Sequence, residues 1–225
     1  MTVKRLTGCL VGTGAAAALA LAVVATPALA VSTCGGLRLT IPGTPGADTI
    51  EGTARRDVIK SFAGDDFVDA FDDRDVVCGA AGADELYGTG GDDSIYGGPD
   101  DDQLFGGVGS DSLYGDLGTD HLFGGTGDDE VRGHEDFDVV RGESGDDEVN
   151  GGDAGDFVEG GADNDVVRGG AGSDFVDGDA GDDELYANDG VSDIVDGGPG
   201  YDTCYIDTGA NADSVSNCEV AVLTG

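Results

Sequence analysis

The chain has 225 residues, with 47 Asp plus Glu against 10 Lys plus Arg, a net charge of −37, 43 Gly and no Trp. Such a charge excludes a conventional nucleic-acid binder, which needs a basic face for phosphates. High charge with little hydrophobicity is also the composition of a disordered chain, so ordered structure here has to recruit cations.

Residues 1–30 differ from all that follows: Lys4 and Arg5, an apolar stretch from Val11 to Ala25, then Ala28-Leu29-Ala30. A positive start, an apolar middle and a small-x-small end predict a secretory signal peptide cleaved after Ala30. The expected product is secreted and extracellular, with no membrane span left after cleavage. It carries 8 basic and 47 acidic residues, or −39, and four cysteines: Cys34, Cys78, Cys204 and Cys218. An even count in a secreted chain predicts two disulfides, with three pairings open.

After a short N-terminal cap at 31–42, the chain falls into rows of nine from Gly43. Sixteen rows run in phase to Tyr186, Ala187 breaks the phase by one residue, and two more rows end at Tyr205, giving 18 rows over 43–205. Position six of the row is Asp in all 18: Asp48, Asp57, Asp66, Asp75, Asp84, Asp93, Asp102, Asp111, Asp120, Asp129, Asp138, Asp147, Asp156, Asp165, Asp174, Asp183, Asp193 and Asp202. Position eight is Ile, Leu or Val in 17 rows, the exception being Cys204, and position one is Gly in 15. Residues 206–225 follow as an expected C-terminal cap.

The row can be read as physics. Gly at positions one, two and four permits positive φ and close backbone approach, as a turn wrapped around an ion requires. Positions seven to nine predict a very short strand in which position eight alone points inward. Two rows complete a coil of 18 residues, alternate rows stack in the same sheet, and the 16 in-phase rows make a roll about 38 Å long. The fold class expected is all-β: a parallel β-roll, a two-sheet solenoid. Helix is excluded by a Gly every few residues, each costing about 1 kcal/mol in a helix interior.

These rows resemble the nonapeptide GGxGxDxUx of the repeats-in-toxin (hemolysin-type) calcium-binding proteins. The likeness is closest over Asp84 to Asp102 (DELYGTGGDDSIYGGPDDD) and Asp111 to Asp129 (DSLYGDLGTDHLFGGTGDD), and it spans residues 43–205. With its general secretory leader, the chain looks more like the small, cysteine-containing members of high-GC Gram-positive bacteria than like members exported by the dedicated Gram-negative pathway. The resemblance implies calcium ions between successive turns on each edge, with position-six carboxylates and turn carbonyls as ligands. Carried over by row, it makes all 18 aspartates ligand candidates. Asp48, Asp57 and Asp75 are the weaker ones, because rows one to four depart from the pattern at Arg55, Ser61, Ala70 and Asp73.

Charge agrees with multiple Ca2+ as the cofactor: about 16 divalent ions between the turns would bring −39 to about −7. Magnesium's strict octahedron suits a carbonyl-and-carboxylate cage less well. Zinc is disfavoured, since His121 and His134, the two histidines, occupy different row positions.

Position nine is aromatic in five consecutive rows: Tyr87, Tyr96, Phe105, Tyr114 and Phe123. The simpler reading is an outward stacking ladder; the functional one is a platform for a cell-surface polymer or protein partner. Local pairing of Cys34 with Cys78 and of Cys204 with Cys218 would staple a cap over each end of the roll. Two functions compete. A noncatalytic, structural or adhesive calcium-binding module is preferred over a secreted enzyme or toxin-like hydrolase. The sequence contains neither HExxH nor GxSxG, and no nonrepeat stretch is long enough for a further domain.

Overall fold

The computed structural model describes residues 33–209 and 211–224, so the expected signal peptide at 1–30 lies outside the described residues. Alternate rows build two parallel sheets. One has ten strands, from Thr49–Glu51 to Ser214–Ser216; the other has eleven, from Ile41–Pro42 to Val220–Thr224. Register advances by one coil of 18 residues, so Leu86, Leu104 and Leu122 are neighbours in the first sheet and Ile95, Leu113 and Val131 in the second. These position-eight side chains face each other across the roll and are fully buried from Ile59 to Cys204. The core is thus one thin ladder of small aliphatics, each touching the coil before and the coil after.

The strands are longer than the short segments expected. Most have six residues, as in Glu85–Gly90 and Ser94–Pro99, and run from position seven of one row to position three of the next. The turn is left with positions four to six. A bend inside the strand makes this possible: position two takes a left-handed φ, for example +79° at Thr89 and +88° at His134, while pairing continues at positions two and three. Position one is skipped by the pairing and faces inward beside position eight, which corrects the expectation of a single inward column. Its glycine is needed for space. A β-carbon on Gly160 would stand 2.6 Å from Asp165 Oδ2 and 2.9 Å from the Gly178 carbonyl oxygen.

Ala187 does not disturb the stack. It ends the strand Glu184–Ala187, buried beside Ile206, and the extra residue is absorbed in the turn that follows.

Both caps differ from expectation. The tail after 205 is itself another coil: Ser214–Ser216 pairs with Ile194–Asp196, and Val220–Thr224 with Thr203–Asp207. The Cys204–Cys218 bond, with Cα atoms 6.0 Å apart, ties this last coil to the buried ladder. At the other end Ile41 covers the first rung. The antiparallel hairpin of Thr33–Cys34 and Leu37–Arg38 does not lie over the open core. Cys34 joins Cys78, whose position nine faces outward, so the hairpin is pinned to the outer face of the eleven-stranded sheet against Val58, Val76 and Tyr96.

Candidate metal-binding edges

Odd rows turn on one edge of the roll and even rows on the other, so position six forms two columns of aspartates. Every one of the 18 takes part in the same bond. The backbone N–H of Asp84 donates to Asp102 Oδ1 at 2.7 Å, that of Asp102 to Asp120 Oδ1 at 2.8 Å, and so along each edge. The columns outrun the repeat: Asp193 N–H donates to Asp213 Oδ1 at 3.0 Å and Asp202 N–H to Glu219 Oε2 at 2.9 Å. Sequence reasoning missed these two acids, whose signal is an acid followed two residues later by Val215 or Ala221.

The second carboxylate oxygen sets most of the column apart. In 16 aspartates, Asp66 and Asp75 through Asp202, Oδ2 is buried with no hydrogen-bond partner. Leaving such an acceptor unpaired costs about 1–3 kcal/mol, and more when it is charged. Asp75, expected to be a weaker candidate, belongs to this set. Asp48 and Asp57 do not: Asp48 Oδ2 accepts from Thr44 N–H at 2.6 Å and its hydroxyl at 2.9 Å, and Asp57 Oδ2 accepts from Thr53 N–H and hydroxyl, both at 2.8 Å.

Burial pushes the position-six carboxyls from Asp75 to Asp202 up, against the pull of the bond to Oδ1 and with help from neighbouring acids. Asp102, Asp138 and Asp165 rise to about 8, and Asp93, Asp129, Asp147, Asp156 and Asp193 to about 7. Asp75, Asp84, Asp111, Asp120 and Asp183 rise to about 6. Each edge therefore holds carboxylates that lack a counter-charge of their own.

The donor set fits a hard cation. From Gly79 to Gly160, the orphaned Oδ2 of each row shares the space over its position-one glycine with the position-one carbonyl oxygen of the next coil, as Asp102 Oδ2 and Gly115 O do over Gly97. Among the described residues no point gathers three His, Cys, Asp or Glu side chains, so an ion held here completes its shell from main-chain oxygens or water. Calcium accepts such a shell of carboxylate and carbonyl oxygens. His121 and His134 lie exposed on different sheets, so they form no zinc site together.

A further acid column was not foreseen. At position five the direction reverses: Thr119 N–H donates to Asp101 Oδ1 at 2.9 Å, and Asn164 N–H to Asp146 Oδ1 at 2.9 Å. These side chains are solvated and close the outside of the turns.

The aromatic ladder has the expected placement. Tyr87, Phe105 and Phe123 stack on the ten-stranded sheet at 4.5 and 5.1 Å, and Tyr96 stacks on Tyr114 at 5.0 Å on the other. Interplanar angles of 4 to 11° turn ring faces onto one another. Edges face solvent, which leaves a sugar ring no free face inside the ladder.

Two columns of carboxylates, 16 of them buried with one oxygen unpaired, make this a parallel β-roll with edges suited to cations. The family model described as RTX calcium-binding nonapeptide repeat (4 copies) matches residues 42–77, 79–113, 99–131, 114–149, 123–158, 150–185, 159–192 and 169–204. The chain belongs to this family. Among solved structures it is similar to a hyperactive, Ca2+-dependent, beta-helical antifreeze protein from an Antarctic bacterium, at 20% identity and a TM-score of 0.42, covering 79% of this chain and 80% of that one. Among curated proteins none matches the chain. Among the described residues no helix is long and apolar enough to cross a membrane.

Proposed function

We propose that this is a secreted, noncatalytic protein that completes its fold by taking up multiple Ca2+ ions outside the cell, and then serves as a structural or adhesive module. The observation that carries the reading is the orphaned Oδ2 on the 16 aspartates Asp66, Asp75, Asp84, Asp93, Asp102, Asp111, Asp120, Asp129, Asp138, Asp147, Asp156, Asp165, Asp174, Asp183, Asp193 and Asp202. These are the proposed ligands. Asp48 and Asp57, already satisfied by threonines, are left out. Bound calcium supplies the missing positive charge; the chain supplies the stacked register that keeps the oxygens in place. The signal-like residues 1–30 and the two disulfides support an oxidising, extracellular setting where calcium is at roughly millimolar levels.

Circular dichroism with calcium titration tests it. The protein without its leader is expected to show little β signal in chelator and a cooperative gain with calcium. The same β signal in both conditions overturns the reading.

A further inference from the structure

The first two rows solve without metal the problem that rows three to 18 leave open. Thr44 and Thr53 saturate the second oxygens of Asp48 and Asp57, and Thr40 donates its hydroxyl to Asp57 Oδ1 at 2.9 Å. Both threonines stand at position two, where rows three to 16 take a left-handed φ and, except at Phe71, remain in the sheet; here the strands Ile41–Pro42 and Thr49–Glu51 stop short and the N–H turns toward the acid. Ser61, at position one, donates its hydroxyl to the Gly79 carbonyl at 2.6 Å, placing a side chain where later rows have a bare glycine.

Charge follows the same division. Residues 31–78 hold Arg38, Arg55, Arg56, Lys60 and Arg74 and come to −4, whereas residues 79–225 come to −35. On the even edge, Arg56 and Arg74 occupy position five, and Arg74 pairs with Asp92, the first acid of that column. Self-repulsion that opposes compaction is therefore concentrated after residue 78.

This segment also has apolar cover found nowhere else among the described residues. Cys34, Val58 and Val76 form a second buried cluster on the outer sheet face, and the Cys34–Cys78 bond closes it across a separation of 44 residues. A crosslink of that span removes much of the freedom of the unfolded segment.

We infer that residues 33–78, where the Cys34–Cys78 bond, the outer apolar cluster and the low net charge offset the two open oxygens of Asp66 and Asp75, form a calcium-independent nucleus, and that calcium-driven folding of the remaining coils proceeds from it toward the C-terminus. The inference rests on the calcium reading above and adds an order to it. In a solenoid each coil contacts only its neighbours, so a preformed first coil provides the template that every later coil lacks.

Hydrogen exchange on the full chain, disulfides intact, resolves it by region. In chelator, amides of 33–78 are expected to be protected and those of 79–224 unprotected; calcium is expected to extend protection to the rest. Protection absent everywhere in chelator but present everywhere with calcium overturns the nucleus and leaves the calcium reading standing. Protection everywhere in chelator overturns the calcium reading. As a second test, the combined variant Thr44→Val and Thr53→Val is expected to lose chelator-resistant protection in 33–78 and keep its protection in calcium. Unchanged protection in chelator overturns the role given to the threonines.

Discussion

Asp102 and Asp120 are joined through one oxygen and left open through the other. The Asp102 N–H donates to Asp120 Oδ1 at 2.8 Å, while Asp120 Oδ2 is buried without a partner. The same carboxylate thus has a structural oxygen and an oxygen free for a ligand. Replacing Asp120 with Ala removes both, and Asn keeps an acceptor for the first but removes the charge. Calorimetry is expected to show weaker calcium binding in both variants, with the Ala variant losing a further charged hydrogen bond of about 2 kcal/mol. An unchanged calcium isotherm for Asp120→Ala would rule out this residue as a ligand.

The raised carboxyls give the metal-free protein an inverted response to acid. Asp102, Asp138 and Asp165 titrate near 8 when folded, far above the ordinary 3.8. Between those values the folded state holds more protons than the unfolded one, so stability falls as pH rises through this window. In chelator, lowering pH from 8 to 4 is expected to increase β signal; in calcium, the same change displaces the ion and weakens the fold. Loss of β signal on acidification in chelator would contradict the burial described for these groups.

Glycine at position one is a spatial requirement, and two alanine substitutions separate it from composition. Gly160→Ala puts a β-carbon against Asp165 Oδ2 and Gly178 O, whereas Gly46→Ala meets nothing within 4 Å. Thermal melts in calcium are expected to show a loss of about 1–3 kcal/mol for the first. The second should change stability by less than about 0.5 kcal/mol.

Cys218→Ser opens the bond that ties the last coil to the buried Cys204. Closing a loop of this size contributes up to about 3 kcal/mol, so the variant is expected to fray from the C-terminus while the central rows hold. Region-resolved hydrogen exchange in calcium checks this, and nonreducing peptide mapping that joined Cys204 to Cys34 or Cys78 would contradict the pairing.

The repeat was legible wherever one residue type serves one purpose. Asp at six and an aliphatic at eight announce an edge and a core, and the alternating sheets follow from the 18-residue coil. Strand length was not legible, because positions one to three hold segments such as Gly88-Thr89-Gly90 that carry no strand preference and pair only because the coils above and below do. The tail escaped because its acids break the period: Asp213 follows Asp202 by 11 residues and Glu219 follows Asp213 by six. The hairpin's place could have been found. Cys78 stands at position nine, and that position faces outward in every row.

Lengthening such a molecule is quantised. Adding 18 residues inserts a coil and leaves each later side chain on its original face, so a longer protein keeps the same two surfaces. Adding nine moves everything downstream to the opposite sheet. The stack of Tyr87, Phe105 and Phe123 would then be severed at the insertion, and rings from one face would meet Tyr96 and Tyr114 from the other. Gene duplication in single rows scrambles the surface, and duplication in pairs copies it.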